Sequence, residues 1–234
     1  MSKNTPPAGN SSATDVALFL SRSREVKARQ SGPGQRLLFA LDATASRQAT
    51  WDRACHLQAQ MFAATRSIAD LSMQLCFYRG IDEFRALDWS SDGRDITPAM
   101  LNVQCQGGYT QIARVLRHAL REHRQHTLRA VIFVGDAMEE RAATLYEWSG
   151  QLGLGKLPLF MFQEGRDPAT SKVFAEMARL SGGVHCQFND NSEEQLRELL
   201  MAAASFAAGG RDALRQLEQR GPLARKLLTD LPRS

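Results

Sequence analysis

The stretch Leu37-Leu38-Phe39-Ala40-Leu41-Asp42-Ala43-Thr44-Ala45-Ser46 decides how this chain is read. Five apolar residues run without a break into an acid and two hydroxyls. A short apolar run bounded by polar residues reads as a strand buried on both faces. The same grammar returns at Ala130-Val131-Ile132-Phe133-Val134, which ends on Gly135-Asp136. Acidic residues at the carboxyl ends of two such strands fall where open α/β sheets hold their ligands.

Outward from these runs, strands and helices alternate, the pattern of a largely parallel sheet covered on both faces. Strands are expected at about 36–42, 72–79, 129–135, 157–162 and 184–188, with a short edge partner near Phe84 to Trp89. Helices are expected at about 46–69, 139–152, 168–181 and 192–208, with a brief one started by Thr97-Pro98. Another follows Gly107-Gly108, with Ile112, Val115, Leu116, Ala119 and Leu120 as its apolar stripe. Three segments are expected: residues 1–34 as a polar leader with a helix at 14–29, a domain at 35–208, and a basic helical tail at 209–234. Gly209-Gly210 is expected to close the domain.

Charge narrows the partners. The chain of 234 residues has a formal charge of +4, unevenly spread. Residues 1–36 hold six basic against two acidic side chains, and residues 209–234 hold six against three. The middle carries 17 basic and 20 acidic residues. A mildly acidic globule with basic ends lacks the dense basic face of a specific nucleic-acid binder. No stretch approaches the ~20 apolar residues of a membrane span, and the polar N-terminus has no apolar core for a secretion signal. The four cysteines are scattered without a CxxC pair, which excludes a zinc ribbon and fits a reduced, cytoplasmic setting.

Several familiar signatures fail. Gly150-x4-Gly155-Lys156 ends on Leu157 instead of Ser or Thr and precedes a strand, so it is no phosphate loop. His118, His123 and His126 lack the spacing of a zinc protease helix, and no GxSxG elbow exists. The Asp42 cluster survives. Asp42, Thr44 and Ser46 alternate, so an extended or turning segment aims three oxygens into one space. The helix begun by Thr110 must start at the same sheet edge in order to return to the strand ending at Asp136. Two carboxylates and three hydroxyls without soft ligands suit a hard cation, Mg²⁺ foremost, with Mn²⁺ or Ca²⁺ as alternatives.

In these residues the chain resembles a von Willebrand factor A (VWA) domain with its metal-ion-dependent adhesion site (MIDAS). Asp42-x-Thr44-x-Ser46, the isolated Thr110 after Gly107-Gly108, and Asp136 match that site in order and context, over about residues 36–208. Thr44 stands where Ser is commoner in the family, and Gly135-Asp136-Ala137 replaces its usual Thr-Asp-Gly. The resemblance implies a doubly wound, mostly parallel six-stranded sheet in order 3-2-1-4-5-6, with an antiparallel edge strand and helices on both faces. It further implies a module that binds protein without turnover, a partner's Asp or Glu completing the metal shell. Gly108, Tyr109 and Glu139 would lie at the partner-binding rim. Stand-alone intracellular members of the family often work beside ATPases or chaperone-like assemblies. Two helix N-termini at this edge would leave the loaded site somewhat electropositive.

An enzyme reading competes. Phosphatases of the haloacid dehalogenase type also place an Asp after the first strand, and Gly135-Asp136 with Glu140 looks like their late acidic motif. That chemistry needs a second Asp two residues after the nucleophile as general acid. Here Thr44 stands in that position. Glu139 and Glu140 read most simply as acids opening a helix, where they favour its dipole.

Overall fold

The computed structural model of the chain describes residues 35–48, 71–91, 96–188, 193–218 and 222–231. The expected 14–29 helix, and most of the one expected at 46–69, lie outside them.

Six strands pair in the order β3-β2-β1-β4-β5-β6: β1 Gln35–Asp42, β2 Leu71–Arg79, β3 Glu83–Ala86, β4 Leu128–Gly135, β5 Leu159–Glu164 and β6 His185–Phe188. Every pairing is parallel except β2 with β3, the antiparallel edge expected from the sequence. Side chains alternate across a strand, so one apolar run feeds two cores. Leu37, Phe39 and Leu41 of β1 join one buried cluster, while Leu38 and Ala40 join the other. Burial on both faces explains why the run carries no polar alternation.

The helices are α1 Ile96–Leu101, α2 Ile112–His126, α3 Ala142–Leu154, α4 Pro168–Ser181, α5 Glu193–Glu218 and α6 Pro222–Asp230. Helices α2, α3 and α4 supply the core that holds Leu38; α5 and α6 supply the one that holds Leu37. The apolar stripe read for α2 is buried along its whole length.

Two boundaries differ from the sequence expectation. The domain does not close at Gly209-Gly210: the compact unit runs from Gln35 to Ser234. Leu214, Leu227 and Leu231 are buried in the same cluster as Leu199 and Leu200. The glycine pair is a kink. Gly210, at φ 64° and ψ −152°, adopts a conformation essentially reserved for glycine, and the helix resumes beyond it. Arg211 then donates to the carbonyls of Leu228 and Leu231 at 3.0 and 3.1 Å, tying α6 back to α5. The segment's net positive charge hid this apolar spacing. The second difference is α3, which starts at Ala142, three residues later than expected; Glu139 and Glu140 are engaged elsewhere.

At the β5–β6 end, His185 is half-buried and donates from Nε2 to Gln163 Oε1 at 3.0 Å. Burial, then the nearby Lys226, holds its pKa down to about 4, from an ordinary 6.5. Neutral His185 therefore contributes its stability fully above pH 6.5, and that contribution is lost as the pH falls toward 4. His185→Gln is expected to flatten this part of the acid-side decline in urea midpoints.

Candidate functional site

Asp42 ends β1 and is fully buried. Its Oδ1 accepts from the Thr44 backbone N–H at 2.8 Å, and its Oδ2 from the Tyr78 hydroxyl at 2.9 Å. Tyr78 lies directly opposite Asp42 in the β1–β2 register. Burial, reinforced by the Asp42 charge, keeps the Tyr78 phenol well above its ordinary pKa, so it remains a donor. Burial likewise raises the Asp42 pKa and Asp136 adds to the rise, against hydrogen bonds from Thr44 and the charge of Arg47.

After Asp42 the chain turns through a 3₁₀ turn, Ala45–Arg47. The Thr44 and Ser46 hydroxyls meet at 3.1 Å. Thr44 is buried, whereas Ser46 is exposed. Asp136 follows β4, the strand beside β1, where Leu41 pairs with Val134. A Cβ built on Gly135 would stand 3.3 Å from the Asp42 Cβ, so the end of β4 lies against that of β1. The Asp136 Oδ1 is buried and, among the described residues, has no hydrogen-bond partner.

Thr110 arrives on a loop locked to the same edge. Gln106 N–H donates to the Ala43 carbonyl at 3.0 Å, and Tyr109 N–H to the Gly80 carbonyl at 3.3 Å. Gly108 is required there, since a Cβ would fall 1.8 Å from the Gly80 oxygen. Thr110 and Glu139 then bond reciprocally. Thr110 N–H donates to Glu139 Oε2, and Glu139 N–H to Thr110 Oγ1, each at 3.0 Å. The loop after β4 is thus joined to the loop carrying Thr110.

The acids of that loop do not open their own helix. Glu140 accepts from the backbone N–H groups of Ile112 and Ala113, capping α2 from outside, where Gln111 supplies no side-chain cap. Burial, the largest influence, lifts the Glu140 pKa despite these bonds. The positive end of α2 is therefore already matched by two carboxylates, which removes that source of the electropositive field expected from sequence. Glu140→Ala should cost about 1–2 kcal/mol of unfolding free energy in urea titrations, the usual scale for a lost cap.

No sequence motif marks Arg47, Glu164 or Tyr78. Arg47 is fully buried and donates from Nε to Glu164 Oε2 at 2.8 Å, and from Nη1 to the Asp42 carbonyl at 2.8 Å. Burial opposes its charge, but Glu164, followed by Asp42 and Asp136, holds its pKa above the ordinary value. A basic residue following three hydroxyl and acid positions was the available signal. Among the described residues, Asp42, Asp136 and Glu164 against Arg47 leave two negative charges in excess when ionised, the amount one divalent cation balances.

The residues fit such a cation. A buried carboxylate oxygen without a donor among the described residues, at the sheet edge that also carries the Thr44 and Ser46 hydroxyls, is what a hard ion would satisfy. Among the described residues, no three His, Cys, Asp or Glu side chains cluster so as to hold a metal, so any ion here relies on hydroxyls. The phosphatase geometry fits less well. Both Asp42 oxygens face donors inside the protein, with no open approach for a phosphate ester, and Thr44 is no acid.

No protein-family model matches the chain, and no curated protein sequence is similar to it. Solved structures are. A von Willebrand factor type A protein from Catenulispora acidiphila superposes with a TM-score of 0.55 at 16% identity, over 73% of this chain and 42% of that one. The fold is that of a von Willebrand factor A domain. The VWA domain of SpRpn10 aligns over 74% of this chain and 94% of its own, at 10% identity and a TM-score of 0.53. Proximal thread matrix protein 1 from the mussel byssus, solved with a zinc-occupied MIDAS motif, gives 17% identity and a TM-score of 0.55 over 72% of this chain and 45% of its own. This chain spans less than half of the Catenulispora and mussel chains it matches. Identities this low establish the VWA fold, which delivers Asp42 and Asp136 to one edge by strand order alone.

Proposed function

We propose that this VWA domain is a metal-dependent protein-binding module without turnover. Asp42, Thr44, Ser46, Thr110 and Asp136 would hold one divalent cation, directly or through water. The oxygen-only donor set favours Mg²⁺, with Mn²⁺ or Ca²⁺ as substitutes. The bound ion would act as a Lewis acid with a coordination position for a carboxylate oxygen of a partner's Asp or Glu. The observation that carries this reading is Asp136 Oδ1, buried and, among the described residues, without a donor at the edge shared with Asp42. A cation there would also favour the ionised form of Asp42 that burial opposes.

Glu139, holding Thr110 by two hydrogen bonds, would position that hydroxyl. The buried free thiols of Cys76 and Cys186 fit a reducing cytoplasm, and the partner would belong to an ATPase or chaperone-like assembly. Among the described residues, no helix is long and apolar enough to cross a membrane. The test is retention of proteins from a cell extract on the immobilised chain, in Mg²⁺ and in EDTA. At least one protein should be held in Mg²⁺, released by EDTA, and lost with Thr110→Ala. An identical set under all three conditions would contradict the reading.

A further inference from the structure

Among the described residues, three large hydrophobic side chains are exposed: Ile81 at 78%, Tyr109 at 65% and Leu154 at 80%. Two of these lie on loops bonded to one another, one of which carries Thr110. Tyr109 immediately precedes Thr110, and its N–H donates to the carbonyl of Gly80, the residue before Ile81. Isolated exposed hydrophobes are ordinary. A pair on two loops fastened to one another beside a candidate site is not.

The fastening is extensive. Gly80 N–H donates to the Gln106 carbonyl at 3.3 Å, and Gln111 Nε2 to the Arg79 carbonyl at 3.3 Å. Gly108 lies so close to the Gly80 carbonyl that no side chain fits between the loops. Ile81 and Tyr109 are thus presented on a preorganised surface, which lowers the ordering cost of a contact. Between Asn102 and Gln111 no residue is charged, and Gln106 to Tyr109 are exposed. Charged side chains adjoin these loops: Arg79 donates to the Gln104 carbonyl at 2.9 Å, and Arg114 pairs with Asp82, the residue after Ile81. Exposed aromatic and aliphatic side chains with charged ones next to them are features of a protein interface.

Electrostatics alone cannot supply the affinity here. Two carboxylates already match the positive end of α2, and one divalent ion would leave the inner charges balanced. Resting on the metal-dependent reading above, we infer that the partner presents its acidic side chain within two residues of a large apolar one. The acid meets the ion, and the apolar side chain packs on Ile81 and Tyr109. Tyr109 and Thr110 are consecutive, so a single short segment spans both contacts. Ile81 and Tyr109 then select among the many exposed acids that an ion alone would accept.

The probe is an array of peptides with one central Asp and every residue type at the two positions on either side. It is read with the full chain in Mg²⁺ and in EDTA. The wild-type chain should favour peptides with a large aliphatic or aromatic residue beside the Asp. Ile81→Ser should lower their signal about tenfold relative to peptides with Gly there, the scale of one interface anchor. Absence of that preference, its persistence in Ile81→Ser, or failure to bind any peptide in Mg²⁺ would overturn the inference. If EDTA leaves the apolar preference intact, the metal reading fails while the surface stands. If Mg²⁺ gates binding but neighbouring residues make no difference, the surface fails while the metal reading stands.

Discussion

Arg47→Met is expected to lower the unfolding free energy by about 3–5 kcal/mol, the cost of stranding a buried charge whose partner is removed. Arg47 is fully enclosed, and its Nε faces Glu164 at 2.8 Å, itself nearly buried. Methionine fills much of the volume, so the loss comes from charge instead of packing. Without the guanidinium, the nearly buried Glu164 carboxylate loses the cation it faces. The double variant Arg47→Met/Glu164→Met should recover most of the stability, since replacing a whole buried pair by apolar groups is often neutral. Urea denaturation of the three proteins checks this. A single variant as stable as the wild type would show that the pair does not hold the turn after β1 to β5.

The same substitution has a second consequence of opposite sign. Removing one positive charge makes the site more negative by one, so divalent ions should bind the folded variant more tightly. Stability and ion affinity would then move in opposite directions. A general loosening of the fold would lower both.

Much of the fold was legible because strand burial writes itself plainly into sequence. The run from Leu37 to Leu41 has no polar alternation because its two sets of side chains enter two cores. The βα alternation and the handedness of crossovers then bring Asp42 and Asp136 to one edge. The kink at Gly209-Gly210 was not legible. Two adjacent glycines end a helix as readily as they bend one, and local sequence does not say whether Leu214 and Leu227 have a core to reach.

At the site, side chains with a local chemical signature were found and those with distant partners were missed. Thr44 stands two residues from both Asp42 and Ser46, so its approach to each follows from spacing. Arg47 finds Glu164 across 117 residues and Tyr78 finds Asp42 across 36, and no motif records either pairing. Glu140 shows the same limit. Its acidity at an apparent helix start suggested a cap for α3, yet it caps α2, 27 and 28 residues earlier. Tertiary approach decided which helix end received the charge.

Asp136→Ala carries the other large expectation, a loss of divalent-ion affinity of at least about 10–100-fold, the scale known for groups that support a metal shell. The substitution removes the carboxylate with the unpartnered buried oxygen and halves the count of acids Asp42 and Asp136 provide. It should cost the apoprotein little, because that oxygen makes no hydrogen bond among the described residues. Removing the Asp136 carboxylate also relieves the repulsion that helps to raise the Asp42 pKa in the apoprotein. The predicted signature is therefore an ion site lost from a protein that is otherwise as stable as before. The direct measurement is calorimetric titration of Mg²⁺ and Mn²⁺ into the full chain and into Asp136→Ala. Saturable binding of one ion to the former, with none resolved for the latter, is the result expected. Equal affinity in both, or no binding to the unsubstituted chain, would contradict a cation held between β1 and β4.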